Sequence, residues 1–335
     1  LASLSEATAP PMKTIKIGLL GMGNIGTGTY KTLEMNRPEI ESTVDAKVEI
    51  VKILERDTER DRGIAVPKEK FTSDPDEIFK DPEIDIVIEL LGGIEPATTF
   101  MLTAMENGKH VVTANKAAIA ANYHKLMDTA KANNVAFRFE ASVGGGIPIL
   151  GTLTGPLRAN KFEEVLGILN GTTNYILTMM TQEGLDYDTA LRDAQAQGFA
   201  EADPTADVEG IDAANKLTIL MALMFDKYVA PQDIPTTGIT QITKEKIEEA
   251  RANNCTIKLI AHAKKLENGE VEYEVKPMNM DNSHPLASIN KEFNAVFVKG
   301  NAVDDVMFYG KGAGPLPTGS AVLGDIIDIA KNVMK

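Results

Sequence analysis

Thr14-Ile15-Lys16-Ile17-Gly18-Leu19-Leu20-Gly21-Met22-Gly23-Asn24-Ile25-Gly26 is the stretch that decides the fold. Ile15, Ile17 and Leu19 make a short apolar strand, which runs into a Gly-x-Gly-x-x-Gly turn. A helix-like stretch follows, Thr27 to Asn36. In this setting Gly21 permits a tight turn, Gly23 lets the backbone approach a pyrophosphate, and Gly26 allows close helix–strand packing. The helix N-terminus attracts the negative charge. Alone the motif is common, and a plain glycine turn is the other reading. Its placement argues for dinucleotide binding, with Met22, Asn24 and Ile25 part of the same loop.

The pattern continues outward. Val48 to Leu54 reads as the second strand, and Asp74-Pro75-Asp76-Glu77 as a helix start. Ile84 to Leu90 is a β-branched buried strand closed by Leu91-Gly92-Gly93. Helix 95–107, strand 109–113, helix 117–132 and strand 135–139 complete the alternation, so a parallel sheet covered on both faces is expected. Strand C-termini are where such sheets hold ligands, which marks Leu91, Gly92, Thr113, Asn115 and Lys116. The second strand ends in Leu54-Glu55-Arg56-Asp57. An acid there suits the ribose of NAD, and Arg56 suits the extra phosphate of NADP. Both are present, so the choice stays open. The polar stretch Arg37 to Asp45 reads as an insertion that lengthens this unit.

After Glu140 the pattern changes. Ala141 to Pro148 is a glycine-rich hinge; strand Phe162–Leu169, helices 172–182, 187–197 and 208–225, segments 255–266 and 270–280, and strand 293–299 follow. Helices with an antiparallel or mixed sheet are expected here. A Gly/Pro-rich loop, Gly310 to Gly319, leads into an amphipathic helix, Thr318 to Met334.

The most unusual segment is Gly198 to Lys216, with Glu201, Asp203, Asp207 and Asp212. Asp207 reads as the N-cap of a helix from Val208, which puts Asp212 and Lys216 at i and i+4 on one face. A lysine beside an acid on an apolar helix suits proton transfer, because desolvation lowers its pKa while the carboxylate tempers the shift. A surface ion pair behind an acidic loop is the alternative.

Composition narrows the classes. The 335 residues carry 34 Lys+Arg against 48 Asp+Glu, a formal net charge of −14. That balance disfavours nucleic acid and anionic membranes as partners. No apolar run reaches the length of a spanning helix. One cysteine, Cys255, excludes intrachain disulfides, and four scattered histidines match no metal spacing. A cytoplasmic protein is expected. Leu1 to Pro11 lacks a basic start and reads as a disordered leader or expression remnant, not a signal peptide.

Together these residues resemble the homoserine dehydrogenase family over about residues 13 to 333. The motifs are Gly21–Gly26, Thr113–Ala117, Glu140–Pro148, Gly167–Ile176, Gly198–Lys216 and Gly310–Gly314. The resemblance implies an α/β protein: a Rossmann-type parallel-sheet domain (12–140 with 315–335) plus an α+β catalytic and dimerisation domain with a mixed sheet (141–314). It implies NAD- or NADP-dependent interconversion of L-homoserine and L-aspartate 4-semialdehyde, in threonine, methionine and isoleucine biosynthesis. Lys216 and Lys116, with Asp212, would be catalytic. Glu201, Asp207, Asp212, Gly198, Gly171 and Thr172 would hold the amino acid, and Gly312 and Gly314 would approach the nicotinamide. A sodium ion would lie at Glu140, Val143, Gly145 and Ile147, and the chain would form a homodimer. Many members carry a C-terminal ACT domain; here the sequence ends near Lys335, so the reading is a short unregulated form or a truncated one, with threonine inhibition left open. A thioester mechanism is disfavoured, since Cys255 lies on an apolar strand edge. A non-enzymatic NAD(P)-binding redox sensor is the remaining alternative, and it would not need Lys216, Asp212 and Glu201 to coincide.

Overall fold

The computed structural model describes residues 11–335; the leader read over Leu1–Pro11 lies outside them except for Pro11. The first half holds β1 (Thr14–Leu20), α1 (Asn24–Met35), α2 (Arg37–Val44), β2 (Lys47–Leu54), β3 (Phe71–Thr72), α3 (Asp76–Phe79), β4 (Ile86–Glu89), α4 (Ala97–Glu106), β5 (His110–Thr113), α5 (Lys116–Ala132) and β6 (Phe137–Arg138). Its six strands are parallel, in the order β3-β2-β1-β4-β5-β6. Strand order reverses between β1 and β4, and Gly21 and Leu91 meet at that crevice, where such sheets bind ligands. The polar stretch after Asn36, read as an insertion, forms α2, with a proline in its first turn.

The second half holds α6 (Ile149–Thr154), β7 (Phe162–Ile168), α7 (Gly171–Glu183), α8 (Tyr187–Ala196), α9 (Thr205–Val208), α10 (Ile211–Phe225), α11 (Lys244–Ala252), β8 (Cys255–Lys265), β9 (Val271–Asp281), β10 (Phe293–Gly300), β11 (Asp304–Lys311) and α12 (Pro315–Asn332). The sheet runs β11-β10-β7-β8-β9 with every pairing antiparallel. The one parallel bridge, Thr236 to Val275, lies outside the paired strands.

Burial explains the layers. Ile17, Leu19, Ile86 and Ile88 are fully buried on the first sheet, as a two-sided parallel sheet requires. α12 closes one face of that sheet through Val322, Ile326 and Ile329. It lies close to α1 because both helices present glycine: a Cβ on Gly28 would sit 2.3 Å from the Pro315 carbonyl oxygen. In the second half α10 is buried along Leu217, Ile219, Leu220 and Met221. Each such side chain contributes about 1.5–3 kcal/mol of transfer free energy. No helix among the described residues is long and apolar enough to cross a membrane.

Candidate active site

A cavity of about 1190 Å³ lies where the two halves meet. Gly23, Asn24 and Ile25 line one end; Lys116, Asp207, Asp212 and Lys216 line another part, with Gly171, Thr172 and Gly198. Gly145, Gly312, Ala313 and Gly314 complete a wall.

The glycine loop has the geometry its sequence demands. Gly21 has φ 91°, a left-handed conformation that favours glycine. A Cβ at Gly26 would lie 2.3 Å from the Gly21 carbonyl oxygen, so the helix can approach the turn only without a side chain there. Gly23 faces open space, and α1 has no side-chain cap at its N-terminus, which leaves amide donors for a pyrophosphate. These features fit a dinucleotide.

The loop is held from behind. The Met22 amide donates to Glu55 Oε1 at 2.6 Å, and Arg62 Nε donates to the Met22 carbonyl at 3.0 Å. Arg62 also pairs with Glu55 at 3.7 Å and covers the Phe71 ring. Arg56, expected to read a ribose phosphate, is exposed and does not line the cavity. The chain bends after β2, and Arg60 and Arg62 reach the wall instead.

At the other part of the cavity, Asp212 stands between two lysines. Lys216 Nζ donates to Asp212 Oδ2 at 2.8 Å, and Lys116 Nζ lies 2.9 Å from Oδ1. The Asn170 side-chain amide donates to Asp212 at 2.9 Å and to Asp207 at 2.7 Å. Lys216 also donates to the Leu169 carbonyl at 2.6 Å. Lys216 is on α10 and Lys116 opens α5, so the pair is assembled from both halves of the chain.

The three groups differ electrostatically. Burial pushes the Asp212 carboxyl up, but the charges and hydrogen bonds of both lysines outweigh it and hold it well below the usual carboxylate range. Burial lowers Lys216 more than Asp212 supports it, and the Lys116 charge pushes the same way. Lys116 feels burial too, but Asp212 and Asp207 leave it raised. The arrangement therefore offers one lysine eased toward proton release and one held charged.

Several expectations need correction. Asp207 is not an N-cap. Gly210, at φ 84°, ends the short helix α9 and starts α10 at Ile211, which frees the Asp207 carboxylate to accept from Asn170. Glu201 is exposed and does not reach the wall. Gly198 does, and the Thr172 hydroxyl donates to the Phe199 carbonyl beside it. Gly21, Met22, Gly26, Leu91, Gly92, Thr113 and Asn115 lie beside the wall rather than in it. The Thr113 hydroxyl donates to buried Glu89 at 2.8 Å, and the Asn115 side chain donates to the Gly93 carbonyl at 2.6 Å, so they brace the crevice loop. Burial pushes the Glu89 carboxyl up against those bonds.

Asn170, Arg62 and Glu292, which also line the cavity, were not singled out from sequence. For Asn170 a signal existed: it precedes Gly171-Thr172-Thr173 and caps α7, accepting from the Thr173 amide at 2.8 Å.

The hinge carries a buried carboxyl group. Glu140 accepts from the Leu150 and Gly151 amides at 2.7 and 2.9 Å, and burial pushes its carboxyl up. Among the described residues no Lys or Arg pairs with it. Gly144 and Gly145 have positive φ, so the backbone turns sharply between Val143 and Ile147. One carboxylate with several carbonyls is a hard-cation donor set. No cluster of three or more His, Cys, Asp or Glu occurs among the described residues.

Comparison with known proteins bears on this geometry. The family model "Homoserine dehydrogenase" matches residues 148–327, and "Homoserine dehydrogenase, NAD binding domain" matches residues 21–140. The chain is 43% identical to a homoserine dehydrogenase of Bacillus subtilis over 322 residues, 96% of this chain and 74% of that protein. A crystal structure of a homoserine dehydrogenase from Thiobacillus denitrificans superposes with a TM-score of 0.91 at 42% identity, covering 96% of this chain and 74% of that one. A hyperthermophilic archaeal homoserine dehydrogenase in complex with NADPH superposes with a TM-score of 0.77 at 26% identity, covering 94% of this chain and 97% of that one.

Proposed function

The chain belongs to the homoserine dehydrogenase family of oxidoreductases, and from that premise we propose that it interconverts L-homoserine and L-aspartate 4-semialdehyde through Lys216, on the route to threonine, methionine and isoleucine in the cytoplasm. The observation that carries the reading is the Asp212 carboxylate set between Lys116 and Lys216, in the cavity that also holds the glycine loop.

The dinucleotide, NAD or NADP, supplies or accepts the hydride when bound. Gly23, Asn24 and Ile25 would hold its pyrophosphate, Arg60 and Arg62 would stand near its ribose, and Gly312 to Gly314 would flank its nicotinamide. Residues 12–140 with 315–335 form the nucleotide domain in this reading, and 141–314 the catalytic and dimerisation domain.

During reduction, negative charge develops on the aldehyde oxygen. Lys116 stays charged and stabilises that charge, and Lys216 donates the proton, since burial has weakened its hold on it. During oxidation, neutral Lys216 accepts the hydroxyl proton. Asp212 fixes both amines, and Asn170 fixes Asp212. Asp207, Gly171, Thr172 and Gly198 orient the amino acid, so the reacting carbon meets the lysines in one geometry. Glu140, with the carbonyls of Val143, Gly145 and Ile147, would hold sodium, which would neutralise a buried carboxylate that has no other cation.

A homodimer fits the second sheet. Its outer face carries half-buried Leu166, Met278, Phe293 and Phe297 beside exposed Met307 and Tyr309. A second copy would cover them.

The test follows absorbance of the reduced nicotinamide with L-homoserine and each dinucleotide in turn. Homoserine-dependent reduction of NAD or NADP is expected. Dinucleotide binding with no turnover of homoserine or its aldehyde would sink the proposal.

A further inference from the structure

Asn294 lies on β10, fully buried, on the inward face that also carries Val296 and Val298. Neither its Oδ1 nor its Nδ2 has a hydrogen-bond partner, and among the described residues no other buried side-chain polar atom is so left. A buried carboxamide without partners is disfavoured, and such a group in a folded protein calls for a reason.

Its neighbour supplies one. A Cβ on Gly312 would lie 1.9 Å from Asn294 Nδ2 and 2.1 Å from its Cγ. From another side, a Cβ on Gly145 would lie 2.3 Å from the Gly312 carbonyl carbon. Gly312 is therefore pinched between the hinge and the Asn294 carboxamide. The strap is anchored on both sides of this point. The Lys311 carbonyl accepts from the Gly146 amide at 3.0 Å, and the Gly314 carbonyl accepts from the Thr318 amide at 3.0 Å. Between these anchors, Gly312 and Ala313 make no backbone hydrogen bond. A peptide that makes no backbone hydrogen bond and faces the open cavity thus stands beside a buried, unpaired carboxamide, at the wall shared with Lys116 and Lys216.

We propose that Asn294 is a positioning residue: the Gly312–Ala313 peptide rotates onto its carboxamide, and a bound dinucleotide selects that arrangement of the strap. Glycine on both sides of Ala313 makes the rotation undemanding. The rotation gives the buried carboxamide a partner at the expense of a peptide that otherwise faces the open cavity, so the two arrangements lie close in free energy, and the strap face that turns is the one the nicotinamide would meet. Two arrangements of similar free energy are what a ligand can bias. This inference rests on the dinucleotide-binding part of the proposed function.

The test is Asn294→Leu, which keeps the volume and removes the polar atoms. Two quantities are measured: the melting temperature without nucleotide, and the Kd for NADPH and NADH by fluorescence. The expected result is a melting temperature equal to or above that of the unmodified chain, with the tighter dinucleotide bound about tenfold more weakly. A lowered melting temperature with unchanged Kd would overturn the proposal, since the carboxamide would then be paired in every state, for instance through a buried water. Should the leucine variant fail to fold, Asn294→Ala gives the same decision through Kd: weaker binding supports the role and unchanged Kd overturns it. Failure of the unmodified chain to bind either dinucleotide would instead refute the functional reading.

Discussion

Replacing Asp212 by Asn removes one negative charge between two ammonium groups and keeps the side-chain size. Lys216 Nζ lies 2.8 Å from that carboxylate. At an effective dielectric constant of about 20, a unit-charge pair at that separation is worth about 6 kcal/mol. The cavity admits solvent, which cuts the effect on the Lys216 proton to a fraction of that figure. Lys216 is already eased downward by burial, and loss of Asp212 moves it further the same way. The sign then follows for each direction of the reaction. Oxidation needs the neutral amine, so the acid limb of its kcat profile moves to lower pH. Reduction needs the ammonium, so its kcat on the alkaline side of the Lys216 titration falls, on the order of a hundredfold. The assay records reduced-nicotinamide absorbance in both directions between about pH 5 and 10, with circular dichroism to confirm folding. A uniform drop in kcat with the acid limb unmoved would refute the reasoning, since Asp212 would then position the substrate without setting the Lys216 proton.

Three further outcomes are expected. Arg60→Ala weakens NADPH about tenfold more than NADH, whereas Arg56→Ala changes neither much; equilibrium binding decides, and equal effects of Arg60→Ala on both place the phosphate contact elsewhere. Lys258 is buried, donating to the Ile289 carbonyl at 2.5 Å, and burial pushes it down to about 8 from 10.5. The unfolded chain holds that proton to higher pH than the folded one, so stability rises with pH across that window, by up to about 3 kcal/mol. Urea midpoints should show this slope in the unmodified chain and not in Lys258→Met; identical slopes would contradict it. Light scattering should give about twice the 36.1 kDa chain mass, and Phe297→Glu should lower it toward one chain; a monomeric unmodified chain would dispose of the dimer.

The parts of the fold that were legible in the sequence are those fixed by local pattern. The β-branched run around Ile86 and the glycine loop announce a parallel sheet before any tertiary contact is known. Asp212 and Lys216 lie four residues apart, so helical geometry alone brings them together. The cap failed because Asp207 is followed by Gly210, and a left-handed glycine restarts the helix at Ile211 whatever acid precedes it. β11 was missed because its edge alternates exposed and half-buried residues, beginning with Asp304 and Asp305, so no apolar period marks it. Arg56 and Arg62 are equally basic in the sequence. Only the path of the chain after β2 decides that Arg62 covers Phe71 and holds Met22. Asn170 reads locally as a cap, and its second duty toward Asp212 arises from a helix 42 residues away.

The two lysines also differ in what holds them. Lys216 and Asp212 share one helix, so their 2.8 Å contact persists however the halves of the chain sit. Lys116 belongs to α5, and its 2.9 Å contact with Asp212 exists only when α5 lies against α10. That packing has its own fastening: the Tyr228 hydroxyl donates to the Ala120 carbonyl at 2.5 Å, and the Tyr123 and Tyr228 rings stack 6.0 Å apart. In the proposed mechanism the proton carrier is thus built into one helix, while the charge that stabilises the oxyanion arrives from the nucleotide-binding half. A loosened α5–α10 junction would leave Lys216 able to exchange its proton and remove the electrostatic half of catalysis. Such a change should lower kcat and, by withdrawing the Lys116 charge that pushes Lys216 down, move the acid limb of the pH profile up, the opposite direction to that expected for Asp212→Asn.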